Sequence, residues 1–221
     1  MKPEMTARPR FILSLLALPL LVSVAQAEPA SEAEPERPDA RAQLEAFSVG
    51  LDAMSARFSQ MTLDPDGLVI DSSEGSMVFQ APDRFRWSYD EPFPMEIVAD
   101  GQQLWHYDES LDQVTVREQP AAGESPLMVL TQPELLDRFY RLEDSGRRDV
   151  LRFRPLSDEV EFEFATLEFY QGEPVMLELL DRFQQITRLE LIDLERNPAL
   201  DAGLFEFEVP EGADVLQGFE P

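Results

Sequence analysis

Hydrophobic and polar residues alternate most regularly in segment 79–92, which reads FQAPDRFRWSYDEP. Successive side chains of a β-strand point to opposite faces, so Phe85 and Trp87 share one face while Arg84 and Arg86 share the other. The pattern therefore predicts a strand with one bulky apolar face and one polar face.

A second aromatic strand is predicted shortly afterwards. Asp100-Gly101 is a two-residue hairpin signal, and an aromatic-rich run from Leu104 to Tyr107 follows it. Alternation recurs along most of the chain, at Phe58, Met77/Phe79, Val114/Val116, Leu151/Phe153, Phe162/Phe164, Leu189/Leu191 and Phe205/Phe207. Many short strands separated by turn residues predict a mainly β protein, an antiparallel sandwich or barrel.

Helical spacing occurs in two places. Ahead of the strands, apolar residues recur at intervals of three and four, which predicts one helix carrying Leu44, Phe47, Leu51 and Met54. Further along, Ser125 is a candidate N-cap, Pro126 suits a first helical position, and Gln132-Pro133 suits a second start. We therefore expect two short helices inserted between strands.

The first 27 residues have the features of a secretory signal peptide. Basic residues precede an apolar run from Phe11 to Val24, and Ala25-Gln26-Ala27 is typical of a cleavage site. The run is shorter than the about 20 apolar residues of a membrane span, so we expect residues 1–27 to be removed. Residues 28–39 are acidic and proline-rich, which predicts a disordered lead-in to a single domain, 40–221.

Charge and cysteine content exclude several classes of protein. The formal net charge is −26, and removal of residues 1–27 makes it about −28, so we expect no binding to nucleic acid, which needs clustered Lys and Arg. The charge indicates either solubility in a salty medium or steering toward a basic partner. Because the chain has no cysteine, it has neither a disulfide framework nor a lipid-modified N-terminal cysteine.

In their order and spacing, these motifs resemble the periplasmic outer-membrane lipoprotein carrier proteins, the LolA family. The resemblance runs from about Leu44 to Val215. Besides the helices, it rests on Phe58-Ser59-Gln60, the aromatic strand between Pro82 and Pro92, Asp100-Gly101-x-x-Leu104-Trp105, Ser125-Pro126-Leu127 and Phe205-x-Phe207-x-x-Pro210-x-Gly212. It implies a half-open antiparallel β-barrel under a helical lid, whose hydrophobic interior shields the acyl chains of lipoproteins in the periplasm.

The resemblance also implies roles for individual residues. The acyl-chain cavity would be lined by Phe58, Met77, Phe79, Phe85 and Trp87. The lid would consist of Leu44, Phe47, Leu51 and Met54 from the first helix, with Leu127, Met128 and Leu130 from the inserted helices. Other phenylalanines are predicted to face inward, where they serve packing or cargo contact: Phe162, Phe164, Phe169, Phe205 and Phe207.

Partners follow from the same resemblance. They are acylated outer-membrane lipoproteins, an ATP-driven inner-membrane exporter of the LolCDE type and an outer-membrane receptor of the LolB type, with no cofactor. The receptor shares the fold but is itself a lipoprotein, so its mature chain must begin with a modified cysteine. The absence of cysteine therefore favours the mobile carrier, which we expect to be monomeric.

Ala81 departs from the family pattern. Family members commonly carry a basic residue, typically Arg, just before the proline of the aromatic strand, where it hydrogen-bonds to lid backbone and holds the cavity shut. Either another donor, such as Arg84 or Arg86, replaces it here, or the lid opens more easily. Strand alternation puts both arginines on the face opposite Phe85, which favours easier opening.

The two alternatives to a lipoprotein carrier are an enzyme and a periplasmic sensor or carrier with another client. An enzyme with a histidine base would have to use His106, the only histidine, and a histidine within an aromatic strand is more often a packing residue, so we expect no catalysis. Segment 64–67 (DPDG) lacks the later ligands of a calcium loop and predicts a hairpin turn, so we expect no metal.

The second alternative, a periplasmic sensor or carrier of the same fold with another lipid or lipoprotein client, stays open, although such sensors carry a further C-terminal domain.

Overall fold

The structure, a computed structural model, describes residues 39–119, 126–158 and 160–217. These residues belong to one compact unit, Arg37–Pro221. The predicted signal peptide, the lead-in up to residue 38 and the predicted N-cap Ser125 lie outside the described residues. Asp39 is described, and its carboxylate caps the first helix by accepting a hydrogen bond from the Ala42 amide at 2.9 Å.

Strands dominate the described part of the chain. The helices are α1 (Ala40–Ser48), a 3-10 helix (Pro126–Leu130) and α2 (Glu134–Phe139). The strands are β1 (Ala53–Leu63), β2 (Val69–Gln80), β3 (Arg84–Glu91), β4 (Met95–Ala99), β5 (Gln103–Asp108), β6 (Gln113–Glu118), β7 (Tyr140–Glu143), β8 (Val150–Pro155), β9 (Phe162–Tyr170), β10 (Glu173–Asp181), β11 (Ile186–Arg196) and β12 (Asp214–Gln217). Within the described ranges, every helix is too short or too polar to cross a bilayer.

All of these strands join one sheet, in the order β12-β6-β5-β4-β3-β2-β1-β11-β10-β9-β8-β7. The two outermost strands, β12 and β7, do not pair with each other, so the sheet stays open. Neighbouring strands are antiparallel except β12, which runs parallel to β6. The prediction of a mainly β, half-open sheet with few helices is confirmed, and the parallel edge strand is the one departure from its antiparallel character among the described strands.

Cross-strand register sorts the side chains onto two faces. Met77 lies opposite Ala56 on one side and Trp87 on the other, and Phe79 lies opposite Phe85. Directly opposed residues share a face, and we call this aromatic-rich side the inner face. Buried residues of α1, the 3-10 helix and α2 join the same apolar cluster. The core therefore lies between the inner face and the helices.

The first helix is shorter than its apolar spacing predicts. It ends at Ser48, Leu51 is buried in the connection that follows, and Met54 lies on β1, so the placement of Leu51 and Met54 on this helix was wrong. Gly50 has a left-handed φ of 66°, which glycine adopts at little cost. The distant Asn197 side chain donates a hydrogen bond to the Gly50 carbonyl at 2.8 Å. A tertiary contact therefore fixes this helix end.

The segment around Phe205 and Phe207 was predicted as a strand and is not one. It forms turns and irregular backbone. The Phe207 ring stacks on Trp105 at a centroid distance of 5.5 Å. Trp105 pairs with Val98, and Val98 pairs with Arg86. All three residues therefore lie on the outer face of the sheet, opposite the inner face. The prediction that Phe207 faces inward was therefore wrong, because this segment packs on the opposite face.

Phe164 was also predicted to face inward and does not. Leu180 of β10 pairs with Phe164 of β9, and the next residue, Asp181, pairs with Phe162. One residue of β9 is therefore left without a partner on β10. Phe162 and Ala165 consequently belong to the inner cluster, while the Phe164 ring packs under a guanidinium group, 3.8 Å from its centroid to the central carbon of Arg152. A bulge adds a residue to one strand, so simple alternation assigns the wrong face beyond it.

Both predicted hairpin turns are present. The Asp64 carboxylate accepts a hydrogen bond from the Leu68 amide at 2.8 Å and closes the turn between β1 and β2. The Asp100 amide donates to the Gln103 carbonyl at 3.2 Å at the turn between β4 and β5. Each turn places its flanking strands side by side in the central part of the sheet.

Candidate binding site on the inner face of the sheet

Three aromatic rings form the centre of the inner face. The Phe58 ring lies 4.7 Å from Trp87 and 5.2 Å from Tyr89, measured between centroids. Phe58 belongs to β1, whereas Trp87 and Tyr89 belong to β3, so the rings meet across β2. Phe85, Trp87 and Tyr89 are partly buried against the main cluster. The structure therefore places the predicted cavity residues Phe58, Phe85 and Trp87 on one continuous surface.

Gly75 of β2 allows these rings to meet. It pairs with Phe58 on one side and Tyr89 on the other. A Cβ atom at this position would lie 1.9 Å from the Ser88 carbonyl oxygen and 2.8 Å from Cζ of Phe58. Neither contact is sterically possible, so the approach of the Phe58 ring and the β3 backbone requires a residue without a side chain.

The residues predicted to form the lid lie in the same apolar cluster as the predicted cavity residues of the sheet. The cluster contains Phe58, Met77, Phe79 and the predicted lid residue Met54 from the sheet, together with Leu44, Phe47, Leu51, Leu127, Met128 and Leu130. Leu127 is partly buried and the others are buried. Helix α1 contacts β8, β9, β10 and the 3-10 helix, and α2 contacts β7. In this conformation the helices thus cover one half of the inner face.

An ion pair joins the two α-helices. Arg41 of α1 donates hydrogen bonds to both carboxylate oxygens of Asp137 on α2, at 3.0 and 2.8 Å. The hydrogen bond from Arg41 holds the pKa of the Asp137 carboxyl below its ordinary value, so the pair is ionised at neutral pH. Asp137 is exposed, and exposed pairs contribute little net stability. The bidentate geometry instead fixes the orientation of α1 relative to α2.

A hydrogen bond ties the helical segment to the start of the aromatic strand. The Gln132 side chain, between the 3-10 helix and α2, donates to the Pro82 carbonyl at 2.6 Å. Arg86, in contrast, bonds to the carboxylate of Glu96 and the carbonyl of Leu204 on the outer face. The interpretation in which Arg86 takes the place of a basic residue at Ala81 was therefore wrong. Here the donor comes from the helical side and the acceptor from the turn that precedes β3.

Replacing Gln132 should loosen the helices from the sheet. Gln132→Met keeps the length of the side chain but removes the donor, and a neutral hydrogen bond contributes about 1 kcal/mol. We expect amide hydrogen exchange in residues 127–139 to accelerate by about fivefold, with β1 and β2 unaffected. The exposed turn residue Gln102, changed to Met, serves as the control. Equal exchange rates in Gln132→Met and the unmodified protein would contradict this role.

The inner face also carries polar atoms. The Tyr89 hydroxyl donates to Oε1 of Gln60 at 3.3 Å. Burial raises the pKa of Tyr89, against the opposing effect of its neighbours Trp87 and Gln60, so the phenol is protonated at neutral pH. The Ser73 hydroxyl and the Trp87 indole nitrogen are buried and have no hydrogen-bond partner among the residues that the structure describes.

The chemistry of the site favours binding. His106 lies opposite Ile97, and its Nε2 atom is 2.6 Å from the sulfur of Met95. Within the described segments, no three His, Asp or Glu side chains gather as metal ligands. An apolar, aromatic surface with a few polar atoms suits hydrocarbon ligands that carry an occasional polar group.

Sequence reasoning missed several residues of this site, among them Tyr89, Ser73 and Gln132. Tyr89 extends the alternation of Phe85 and Trp87 by one step, so its position on the inner face could have been predicted. Ser73 and Gln132 have no comparable signal, because the burial of one and the contact of the other arise only when distant segments meet.

Comparisons with known proteins agree with one another. Residues 50–208 match the sequence profile of a family described as outer membrane lipoprotein carrier protein LolA. A relative from Alkalilimnicola ehrlichii, named outer-membrane lipoprotein carrier protein, is 41% identical over 186 residues, covering 82% of this chain and 86% of its own length. A relative of the same name from Halorhodospira halophila is 40% identical over 176 residues, covering 79% and 84%.

A likeness in fold extends to a solved structure of low sequence identity. An uncharacterized conserved protein from Thermus thermophilus aligns with a TM-score of 0.52 at 15% identity. The alignment covers 81% of this chain and 99% of that protein. It supports the similarity of the fold alone.

Proposed function

Since this chain belongs to the LolA family of outer-membrane lipoprotein carrier proteins, we propose that it carries acylated lipoproteins through the periplasm. The inner face of the sheet receives the acyl chains, and the surrounding protein shields them from water. The residues that contact the chains are Phe58, Met77, Phe79, Phe85 and Trp87. No bond of the cargo is made or broken, so the proposed activity is that of a chaperone and not of an enzyme.

One observation supports this proposal above the others. The residues of the proposed cavity and those of the proposed lid form a single apolar cluster, while polar contacts at Arg41–Asp137 and Gln132–Pro82 join the helices to each other and to the sheet. When the helices move aside, apolar surface becomes available, and acyl chains are a ligand that can cover it again. Loading and release then exchange one apolar partner for another.

The energetics of the cargo explain the proposed partners. Three acyl chains of about 16 carbons, at about 0.8 kcal/mol per buried methylene, anchor a lipoprotein by roughly 35 to 40 kcal/mol. Such a molecule does not leave a membrane unaided, so an ATP-driven inner-membrane exporter of the LolCDE type supplies the energy. An outer-membrane receptor of the LolB type accepts the cargo. The carrier works between them as a monomer and needs only a moderate affinity.

Extraction of a lipoprotein from membranes tests the proposal. The protein, purified from the periplasm as residues 28–221, is added with ATP to inner-membrane vesicles that hold a matched exporter and an acylated lipoprotein. We expect the lipoprotein to appear in the soluble fraction, and native mass spectrometry to show a one-to-one complex. An apo protein that leaves all lipoprotein in the vesicles would overturn the carrier assignment.

A further inference from the structure

Polar side chains cross the inner face along a line through three adjacent strands. Gln60 lies on β1, directly opposite Ser73 on β2. Tyr89 of β3 reaches over β2 to bond with Gln60 at 3.3 Å, and Trp87 precedes Tyr89 by one period of the strand. The line is embedded in the apolar surface that the proposed function assigns to acyl chains.

Two donors on this line have no acceptor at hydrogen-bond geometry among the described residues. Ser73 is 9% exposed, and neither its hydroxyl nor the buried indole nitrogen of Trp87 has a partner at hydrogen-bond geometry within the described part of the chain. The Tyr89 hydroxyl lies beside the Trp87 indole, which lowers the pKa of Tyr89 against the larger effect of burial. A buried donor without an acceptor is destabilising, and such groups in folded proteins usually have a functional or structural explanation. At Ser73 and Trp87 a ligand that supplies acceptors is such an explanation.

The chemistry of the two donors restricts that ligand. The Trp87 indole nitrogen can only donate, so its partner must be an acceptor. The surroundings are apolar and the protein has a formal net charge of −26, which disfavours a carboxylate or phosphate. A neutral carbonyl oxygen next to hydrocarbon meets both conditions. The ester groups that join acyl chains to glycerol each supply such a carbonyl oxygen beside a hydrocarbon chain.

We propose that Ser73 and Trp87 form a polar subsite for the ester carbonyls of the bound acyl chains. The inference rests on the proposed function and specifies how the same site holds its cargo. Tyr89 covers the subsite in the unbound protein, because its side chain crosses β2 to reach Gln60 on β1. Its hydrogen bond to Gln60 is long at 3.3 Å, so ligand entry displaces it easily. The subsite fixes the glycerol end of the lipid while the chains extend along the aromatic surface.

Ester and ether lipids of equal chain length separate this subsite from general apolar binding. Dipalmitoylglycerol has two ester carbonyls, and dihexadecylglycerol has ether oxygens in their place. Both are measured by displacement of diphenylhexatriene, a hydrocarbon without polar atoms. We expect the unmodified protein to bind the ester about tenfold more tightly, which corresponds to about 1.4 kcal/mol from hydrogen bonding.

Substitution of the donors should remove that preference. Ser73→Ala and Trp87→Phe should each lower the ester-to-ether ratio by about threefold, and the double variant should bring it near one. Ser76→Ala on the same strand and Trp105→Phe, both on the outer face, should keep the ratio of the unmodified protein. The unbound Ser73→Ala protein should unfold at no lower urea concentration, since an unsatisfied hydroxyl is removed.

The outcomes separate the subsite from the carrier function. If the Ser73 and Trp87 variants bind both lipids with an unchanged ratio, the subsite is overturned and the carrier function stands. If the unmodified protein binds neither lipid nor diphenylhexatriene, the proposed function fails and the subsite fails with it. A lowered ratio confined to the inner-face variants supports the subsite.

Discussion

Ile97→Glu should weaken acyl-chain binding severely at neutral pH and leave the empty protein folded. Ile97 pairs directly with Trp87 and therefore faces the proposed binding surface, where it is half-buried. Without cargo, water can reach the new carboxylate. Acyl chains would remove that water, so binding requires protonation of a group with an ordinary pKa of about 4.3. At pH 7 this costs about 3.7 kcal/mol, which weakens binding by about 500-fold.

The pH dependence of this variant provides a specific check. Because the protonated carboxyl is the form that tolerates burial, the loss of affinity should shrink by about tenfold for each pH unit between 7 and 5. Displacement of diphenylhexatriene by dipalmitoylglycerol measures the affinity. Phe93→Glu adds the same charge at a side chain that is 70% exposed, and it should bind like the unmodified protein. If Ile97→Glu and Phe93→Glu bound the lipid with equal affinity at pH 7, the acyl chains would not contact Ile97 and the prediction would be wrong.

Gly75→Ala should destabilise the protein by about 3 kcal/mol or more. The added Cβ would meet the Ser88 carbonyl at 1.9 Å and the Phe58 ring at 2.8 Å. Relief of the contact with Ser88 requires β2 and β3 to separate, and relief of the contact with Phe58 requires its ring to leave its place against Trp87 and Tyr89. Each response weakens the aromatic centre of the inner face. Urea unfolding followed by tryptophan fluorescence measures the change in the free energy of unfolding.

Gly203→Ala is the matched control for this prediction. A Cβ at Gly203 would come no closer than 3.9 Å to another group, the Glu206 carboxylate, and the residue does not have a left-handed φ. Both substitutions restrict the unfolded chain equally, and an unstrained alanine can add about 0.4 to 1 kcal/mol. We therefore expect the control to be neutral or slightly stabilising. A similarly small effect of Gly75→Ala would show that β2 and β3 can separate here without loss.

The inner face was predicted most accurately where strands are long and regular. Alternation placed Phe85 and Trp87 on one face and Arg86 on the other, and the structure confirms it. It gave the wrong face for Phe164, since a bulge in β9 adds a residue. It also gave a strand at Phe207, whose ring packs on Trp105 instead. Local periodicity is therefore a sound guide only up to the next irregularity in the backbone.

The helical contacts could be predicted only in part. Leu44 and Phe47 have the predicted spacing and are buried on α1, whereas Met54 continues the spacing and lies on a strand. The end of α1 depends on Gly50 and on its hydrogen bond with Asn197. The contact of Gln132 with Pro82, in the turn before β3, likewise joins segments far apart in the chain. No local pattern contains such pairings.

The sequence by itself determined the strand-rich fold and the aromatic character of one sheet face, because both follow from residue types at short, regular spacings. The order of its motifs along the chain carried the resemblance to the family. The tertiary structure alone decided that the helices rest on that face, that Gly75 lets the rings of Phe58 and Tyr89 meet, and that the Ser73 hydroxyl is buried without an acceptor among the described residues. The physical reason is that burial and hydrogen-bond satisfaction are properties of surroundings assembled from distant segments, whereas periodicity is a property of the chain itself.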